Sequence, residues 1–344
     1  ERGHMHILIA RRTGVGKSTL INAVFQGKMA DTGQGRPVTP DTREISKEGV
    51  PLTIWDTRGL EMAAFKETIR ELERLVTERA RDRDPTRHIH VAWLCVQEDG
   101  RRVEDAESEL HLMLARHMPV VGIITKARAD NGFRAEVQRL LPECANVIRV
   151  RAIEEELDDG HTLPTMNLKE LINLTAEVIP EGQRRAFAAA QKADLDFKKR
   201  LGHGIVASAA AASALAGAAP IPFADAVLLV PIQVGMLAGI TATFGLALSK
   251  GFLTTLVGAA IGSTGATIAG RVIVANLLKL IPGGGTIAGA AISAATAVAL
   301  TTALGEIYIA TLMHLFVETS GEPPSEDQII KEFSRRMSKK KASE

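Results

Sequence analysis

The chain has 344 residues, and its 41 lysine and arginine residues balance 40 aspartate and glutamate residues. A net charge of +1 argues against a protein that coats nucleic acid through phosphate contacts, and 4% aromatic residues argue against a single-strand binder that stacks on bases. The two cysteines, Cys95 and Cys144, exclude a disulfide scaffold, give no zinc-binding pattern and suit a reducing compartment such as the cytoplasm.

The first half of the chain alternates apolar runs with amphipathic segments. Strands are predicted at residues 6–10, 42–47, 51–55, 89–96, 119–125 and 146–150. Helices are predicted at residues 19–25, 62–83, 105–115, 135–141 and 168–178, with loops at 33–40 and 154–165. Because strands and helices alternate and several strands are apolar throughout, we predict an α/β domain with a mainly parallel sheet and helices on both faces.

The second half has a different composition. Only four of the 104 residues in 202–305 are charged, whereas charged residues make up 24% of the whole chain. The predicted organisation is an α/β domain at 1–180, a helical connector at 181–201, an apolar, Ala/Gly-rich all-α domain at 202–318, and an amphipathic basic tail at 319–344.

A candidate phosphate-binding loop follows the first predicted strand and precedes the first helix. It reads Thr13, Gly14, Val15, Gly16, Lys17, Ser18 and Thr19. In such a loop backbone N–H groups surround phosphate oxygens, Lys17 reaches the β and γ phosphates, and the Ser18 hydroxyl binds Mg²⁺. Position 11 carries arginine where the full pattern has glycine. A positive φ there would be strained, although the cation could also help to hold phosphate.

A second motif, Asp-Thr-Arg-Gly at 56–59, ends the predicted strand at 51–55. Its position about 40 residues behind the phosphate loop predicts that Asp56 belongs to the Mg²⁺ shell, through water, and that the Gly59 N–H meets the γ-phosphate. Either Thr39 or Thr42 should bind Mg²⁺ and order its loop when triphosphate is bound. The sequence does not choose between them.

The residue after Gly59 is Leu60, at a position where some GTPases carry a glutamine that orients the attacking water. Leucine has no polar group for this task. We therefore expect slow intrinsic hydrolysis, or a site completed by another group. Arg11, Arg12 and Arg58 are candidates, in cis or across a dimer, although each is more simply explained as a solvated surface arginine.

A base-recognition segment follows the predicted strand at 119–125. Lys126 is placed to lie along a base, but the usual [Asn/Thr]-Lys-x-Asp spacing calls for aspartate at 128, where this chain has arginine. Either a longer loop lets Asp130 bind the N1 and N2 hydrogens of guanine, or guanine selectivity is weakened and ATP becomes possible. After the last strand, Ala152 would supply a backbone N–H for the guanine O6.

These motifs resemble those of translation-factor-type GTPases, and most closely the branch shared by septins, immunity-related GTPases and Era-like bacterial proteins. The resemblance covers about 5–179 and implies a P-loop GTPase domain with GTP or GDP and Mg²⁺ as cofactors. Residues 220–225 and 230–236 are similar to an uncharacterised helical domain found behind bacterial Era-like GTPases. That resemblance implies association with a membrane.

Two uncharged stretches reach bilayer length, with 23 residues at 226–248 and 24 at 282–305. They are rich in Ala, Gly and Thr, so a soluble bundle with a buried core is the alternative to insertion or reversible membrane association. We expect a GTPase at the cytoplasmic face of a membrane, with a possible homodimer through the α/β domain and no nucleic-acid partner. A nucleotide-binding scaffold with little turnover and a membrane-remodelling or pore-forming effector are the alternatives.

Overall fold

The computed structural model describes residues 3–11, 16–26, 29, 36–39, 42–57, 65–217, 224–261 and 294–339. The chain divides into two compact units, Glu1–Asp194 and Leu195–Glu344. They are called the α/β unit and the helical unit below.

The α/β unit is built on a seven-stranded sheet. Its strands are β1 (Met5–Arg11), β2 (Arg36–Thr39), β3 (Thr42–Ser46), β4 (Leu52–Thr57), β5 (Val91–Gln97), β6 (Val120–Thr125) and β7 (Cys144–Arg149). The spatial order is β2-β3-β4-β1-β5-β6-β7. The last five strands in this order, from β4 to β7, are parallel to one another. The carboxyl ends of these five strands therefore share one edge, which is where ligands bind in such sheets.

Helices cover both faces of this sheet. They are α1 (Lys17–Val24), α2 (Phe65–Ala80), α3 (Asp105–Ala115), α4 (Phe133–Leu140), α5 (Leu168–Val178) and α6 (Glu181–Ala190). On one face, α2, α3 and α4 contribute Leu72, Leu114 and Val137 to a single apolar core with the sheet. On the other, Trp93 of β5 stacks on Phe25 and donates to the Thr175 hydroxyl of α5 at 3.1 Å. The predicted α/β architecture is confirmed.

Two short elements occupy segments predicted as loops. β2 pairs antiparallel with β3 and extends the edge of the sheet inside the predicted loop at 33–40. Within 154–165, β8 (Glu155–Glu156) pairs with β9 (Thr162–Leu163) in a two-stranded hairpin. Both elements are too short and too polar to give the apolar alternation from which strands are predicted.

Part of the predicted connector is a packed element of the α/β unit. In α6 the residues 186–190 are buried, and Phe187 meets Phe25 edge-on with ring centroids 6.4 Å apart. The Gln26 N–H donates to the Ala190 carbonyl at 2.9 Å. The division between the units therefore falls after α6, at Asp194.

Three histidines lie together beside β1 and β4, and burial lowers the pKa of each. His6 Nδ1 accepts a hydrogen bond from the Trp55 indole N–H at 3.1 Å, and His90 Nδ1 accepts from the His6 backbone N–H at 3.0 Å. The pKa of His6 falls to about 3, chiefly through burial and secondarily through the neighbouring His4 and His90. The pKa values of His4 and His90 are also lowered, chiefly by burial.

Both cysteines belong to the core of the sheet. Cys95 lies in β5 and Cys144 in β7, and both side chains are buried. Burial raises the pKa of the Cys144 thiol to about 12. Because the thiolate is the reactive form, burial makes the Cys144 thiol a poor nucleophile in the folded chain.

The helical unit consists, over its described residues, of helices that pack around one apolar core. They are α7 (Leu195–Gly217), α8 (Ala224–Phe244), α9 (Lys250–Ile261), α10 (Ala294–Glu318) and α11 (Glu326–Lys339). The helical region expected after the α/β domain is confirmed. The helices approach closely where glycine faces a neighbour: a Cβ at Gly305 of α10 would lie 2.5 Å from Cγ2 of Val206 in α7.

Polar side chains are buried inside this apolar unit and bond to one another or to the backbone. Ser213 and Thr301 share a hydrogen bond of 2.8 Å, and Gln233 donates to Thr301 Oγ1 at 3.3 Å. Lys198 is completely buried, and its ammonium group donates to the Phe244 carbonyl at the end of α8 and lies 5.2 Å from the centre of the Phe316 ring. Burial lowers the pKa of Lys198 to about 7.

Among the described residues, α10 is the one helix long and apolar enough to cross a membrane, by length and composition alone. Half of the apolar 18-residue segment of this helix is buried inside the protein. Residues 229–244 of α8 are apolar but shorter. Parts of the predicted stretches at 220–225 and 282–305, and the end of the basic tail at 340–344, lie outside the described residues.

The predicted amphipathic tail forms α11 and packs against α10. Its apolar residues Ile329 and Phe333 are buried, and the Phe333 ring meets Tyr308 edge-on at 6.2 Å. On its polar side, Glu332 pairs with Arg335, Arg336 and His314. Most of the apolar face of this helix is therefore covered by the protein itself, although Ile330 is exposed.

Candidate nucleotide-binding site

The phosphate end of the candidate site is formed where β1 passes into α1. Gly16 has φ +80°, a left-handed conformation that favours glycine, and its carbonyl accepts the first helical hydrogen bond, from the Leu20 N–H at 3.0 Å. Lys17 is almost completely buried, and its ammonium group donates to the Thr57 carbonyl at 3.0 Å and forms an ion pair with Asp56. The structure thus brings together two residues, Lys17 and Asp56, that were predicted for different parts of the site.

Arg11 is the last residue of β1 and pairs in register with Cys95 of β5. The extended backbone of a strand suits any side chain, so glycine is not required at that position. Of the other predicted residues of the loop, Ser18 is exposed at the start of α1, and Thr19 lies one position further, half-buried. Thr13, Gly14 and Val15 lie outside the described residues.

The two candidate magnesium-binding threonines lie on adjacent strands, in register with Thr57 of a third strand. Thr39 of β2 pairs in register with Thr42 of β3, and Thr42 pairs with Thr57 of β4, the neighbour of Asp56. The Thr42 side chain is buried, whereas that of Thr39 is not described. Thr42 therefore belongs to the strand directly beside that of Asp56, and Thr39 to the next strand along. Gly59, Leu60, Arg58 and Arg12 lie outside the described residues.

The oxygen ligands on these elements suit a hard cation. A carboxylate at Asp56 and hydroxyls at Ser18 and Thr42 are the ligands that Mg²⁺ prefers, and Mg²⁺ usually keeps several waters. Lys17 already places a positive charge against Asp56. In the part of the chain that the structure describes, there is no group of three or more histidine, cysteine or acidic residues that could hold a metal without help from a ligand.

A cavity of about 190 Å³ lies next to this phosphate end and opens to solvent. Its lining includes four predicted residues, Gly16, Thr19, Lys126 and Ala152, together with Glu155 of the β8–β9 hairpin. Lys126 has φ +53°. Its side chain extends over Gly16, since a Cβ added at Gly16 would lie 3.8 Å from Lys126 Cε. This is the placement expected of a lysine that lies along a bound base.

Two charged residues absent from any motif hold the loops around the cavity. Glu98 is buried, and its carboxylate accepts hydrogen bonds from the backbone N–H groups of Arg128 and Ala129, the latter at 2.9 Å. Hydrogen bonding and charge from Arg149 and these N–H groups keep the pKa of Glu98 low despite burial, which acts in the opposite direction. Arg151 donates to the Ala127 carbonyl at 2.9 Å and to the Pro164 carbonyl.

The sequence analysis did not identify Glu98 and Arg151, because they bond to the backbone of nearby loops and belong to no ligand-binding motif. Glu98 follows β5 and Arg151 follows β7, so each lies at the carboxyl edge of the sheet. A charged residue within two positions of the end of a strand is the one signal that could have drawn attention to them.

Asp130 lies on a different cavity, lined also by Arg134, Asn146 and Arg149. Its Oδ1 accepts from the Arg134 backbone N–H at 2.8 Å and lies 3.8 Å from Arg149 Nε. Position 128, where the usual motif has aspartate, carries Arg128, which donates from Nε to Glu155 Oε2 at 3.0 Å. The structure thus brings Lys126 and Ala152 to the cavity beside Gly16 but does not bring Asp130 there.

The comparisons with known proteins concern the same part of the chain. Residues 6–126 match the model of a family described as 50S ribosome-binding GTPase. Over 133 residues, 37% of this chain, the sequence is 31% identical to the tRNA modification GTPase MnmE of Desulfotalea psychrophila, and the match covers 27% of that protein. The chain therefore spans about a quarter of the length of this curated relative.

Among solved structures, the chain is similar to translation elongation factor SelB from Methanococcus maripaludis in complex with the GTP analogue GPPNHP. The identity is 17% and the TM-score 0.30, over 52% of this chain and 35% of that one. The family match begins in β1 and ends at Lys126, and it includes the paired Lys17 and Asp56. Over residues 6–126 the α/β unit therefore contains a P-loop GTPase domain, for which GTP or GDP is the ligand.

Proposed function

We propose that this protein binds GTP with Mg²⁺ in the α/β unit, hydrolyses it slowly, and uses the change of nucleotide to control membrane association or self-assembly through the helical unit. The observation that carries the nucleotide part is the convergence of Gly16, Lys17 and Asp56 at the carboxyl edge of the sheet, beside a cavity lined by Lys126 and Ala152. These groups match the phosphate and base ends of one nucleotide.

In this proposal each residue has a defined task. Lys17 moves from Asp56 to the β and γ phosphates when nucleotide binds, because a phosphate oxygen offers it a stronger charge partner. Ser18 and one of Thr39 and Thr42 hold Mg²⁺, with Asp56 acting through water. Bound Mg²⁺ would supply positive charge that offsets the negative charge of the phosphates. Leu60 cannot orient water, so turnover is slow unless Arg11, Arg12 or Arg58, in cis or from a second copy, completes the site.

The membrane part of the proposal is supported by composition and by two structural features. α10 is long and apolar enough to cross a bilayer. The helices of the unit meet through small residues, which permit close packing in lipid as well as in water. We also propose kinship with the Era-like, septin and immunity-related branch, based on the phosphate-loop motif. The ribosome and tRNA roles named for the matched proteins are not part of the proposal, because a net charge of +1 gives no cationic excess.

The first test is binding and turnover of GTP and ATP with Mg²⁺ over a range of protein concentrations. GTP-selective turnover that rises per molecule with concentration supports a GTPase completed by a second copy. Tight GTP binding without turnover favours the nucleotide-binding scaffold. Absence of GTP binding overturns the proposal.

A second test addresses the membrane. The full chain is floated with anionic vesicles in the presence of GDP or of a non-hydrolysable GTP analogue, and release of an entrapped dye is followed in parallel. Partition that changes with nucleotide supports the switch. Equal vesicle binding with either nucleotide contradicts the switch. Release of the entrapped dye favours the pore-forming alternative.

A further inference from the structure

The cavity lined by Gly16, Lys126 and Ala152, called the base cavity below, is the proposed site of the nucleotide base. The question is which carboxylate binds that base. Guanine presents two donors on one edge, the N1–H and the 2-amino group, and a carboxylate accepts both. Asp130 is committed elsewhere, because it accepts the Arg134 N–H at the start of α4 and lies on another cavity. Glu98 is buried and its oxygens already accept from Arg149 and two backbone N–H groups.

Glu155 is placed differently. It lines the cavity that Gly16, Lys126 and Ala152 also line. Its backbone belongs to β8, whose pairing with β9 sets Glu155 opposite Leu163. Its side chain is about a third exposed, at 29%, so solvent and a ligand can both reach the carboxylate.

The carboxylate of Glu155 is held by the residue at the position where the usual motif has aspartate. Arg128 donates from Nε to one oxygen and from a terminal nitrogen to the other. This fork fixes the plane of the carboxylate but uses one acceptor position on each oxygen, and a carboxylate has about four. Hydrogen bonding and charge from Arg128 lower the pKa of Glu155, with smaller contributions from Arg151 and Lys126, so the group is ionised at neutral pH.

We propose that Glu155 is the residue that recognises guanine, accepting the N1–H and 2-amino hydrogens, and that Arg128 is a positioning residue that orients it. In this arrangement the acidic group comes from the hairpin after β7 instead of from the loop after β6. An ionised Glu155 rejects adenine, because adenine N1 is an acceptor and would face the carboxylate. The proposal rests on the proposed function, since it assigns the base specificity of the same site.

The experiment is calorimetric titration of the full chain with GDP, IDP and ADP in the presence of Mg²⁺. Inosine lacks the 2-amino group, so the ratio of the GDP and IDP affinities reports that contact. We expect Glu155→Gln to weaken GDP binding roughly ten- to hundredfold and to bring the GDP and IDP affinities close together. Asp130→Asn and Glu154→Gln, the second a neighbour on the same cavity, should leave the ratio as it is in the wild type.

Arg128→Ala provides a second variant that keeps the carboxylate but removes its support. We expect a smaller loss of GDP affinity and a reduced GDP-to-IDP ratio, with Arg128→Lys recovering part of it. A merely structural role for Arg128 would lower the affinities for GDP and IDP equally. Tryptophan emission and circular dichroism of each variant establish that it is folded.

The outcomes distinguish failure of the assignment to Glu155 from failure of the proposed nucleotide function. If the wild type binds GDP and Asp130→Asn, but not Glu155→Gln, removes the preference over IDP and ADP, the assignment to Glu155 is overturned and the nucleotide function stands. If the wild type binds ADP as well as GDP, the assignment is also overturned. If it binds no guanine nucleotide, the proposed function itself fails.

Discussion

The α/β unit and the helical unit use polar groups in opposite ways. In the α/β unit, charged side chains such as Lys17, Asp56 and Glu98 collect at one edge of an apolar sheet. In the helical unit the polar groups Lys198, Ser213 and Thr301 are buried between helices and bond to backbone or hydroxyl oxygens. The first arrangement leaves groups available to a ligand, whereas the second uses them to fix how helices pack. Substitutions in the two units should therefore differ in what they change.

The largest effect is expected for Lys17→Ala. Removal of the ammonium group takes away the main positive charge for the phosphates and leaves Asp56 without this ion pair. We expect the affinity for GTP to fall on the order of a hundredfold or more. Calorimetry measures this loss, with the exposed Lys47→Ala as the matched control. An affinity within a few-fold of the wild type would remove Lys17 from the site.

The next largest effect concerns Lys198 and the stability of the helical unit. The unfolded chain binds the lysine proton up to pH about 10.5, whereas the folded chain releases it near pH 7. Stability is therefore fully present above pH 10.5 and is lost progressively as the pH falls to 7. Each unit of difference in pKa corresponds to about 1.4 kcal/mol, so the change should amount to several kcal/mol.

Urea unfolding followed by circular dichroism at 222 nm, between pH 7 and pH 10, measures this dependence. Lys198→Met should flatten it, since methionine fills a similar volume without a charge. The exposed neighbour Lys199→Met should retain the wild-type dependence. A flat profile in the wild type would show that the ammonium group stays charged inside the unit.

Gly305→Ala tests the close approach of α10 and α7. The added methyl group would lie 2.5 Å from Val206 Cγ2 and 3.0 Å from Met236 Sδ, and valine is too stiff to move aside easily. We expect a loss of about 1–3 kcal/mol in the free energy of unfolding. Gly235→Ala in α8 is the matched control, because none of the described atoms lies within 4 Å of its Cβ. That variant should gain up to about 1 kcal/mol from helix propensity.

A second pH effect is expected at the histidines of the α/β unit. Burial lowers the pKa of His6 to about 3 from 6.5. A depressed pKa means that stability is present above pH 6.5 and is lost as the pH falls towards 3. The pKa of His6 falls by about as much as that of Lys198, so the loss should be of similar size, spread over the pH range from 6.5 to 3.

Both tryptophans, Trp55 and Trp93, lie in the α/β unit, so their emission during urea unfolding reports this unit alone. His6→Asn should reduce the decline in stability below pH 6.5, and the exposed His161→Gln should not. An equal decline in His6→Asn and the wild type would assign the acid sensitivity to other groups.

The sequence predicts the α/β architecture and the phosphate end of the site because these depend on local pattern. The apolar runs before Gly16 and Asp56 predict strands, and the shared direction of those strands brings the two motifs to one edge. The base end could not be predicted in this way. Its geometry depends on Glu98, which holds the loop after β6, and on the β8–β9 hairpin, which carries Glu155. Neither element has a periodic apolar pattern.

The α6 helix is a second element whose packing could not be predicted from the sequence. Its arginines and glutamine suggest a polar connector, but one face, with Phe187 and its neighbouring alanines, is buried against the sheet unit. Alanine-rich helical faces are compatible with exposure and with burial, so only the tertiary partner decides. In this case the partner is Phe25, 162 positions earlier in the chain.

The burial of both thiols has a practical consequence. Cys95 and Cys144 are the only two cysteines, and both lie inside the α/β unit. Maleimide reagents should therefore leave the folded wild type almost unlabelled, which provides a dark background for site-directed fluorophores. A single cysteine at Leu215, whose side chain is 79% exposed, would then carry a polarity-sensitive dye on the helical unit. The colour of that dye would report, in real time and without disturbing the nucleotide site, whether lipid or water surrounds that helix.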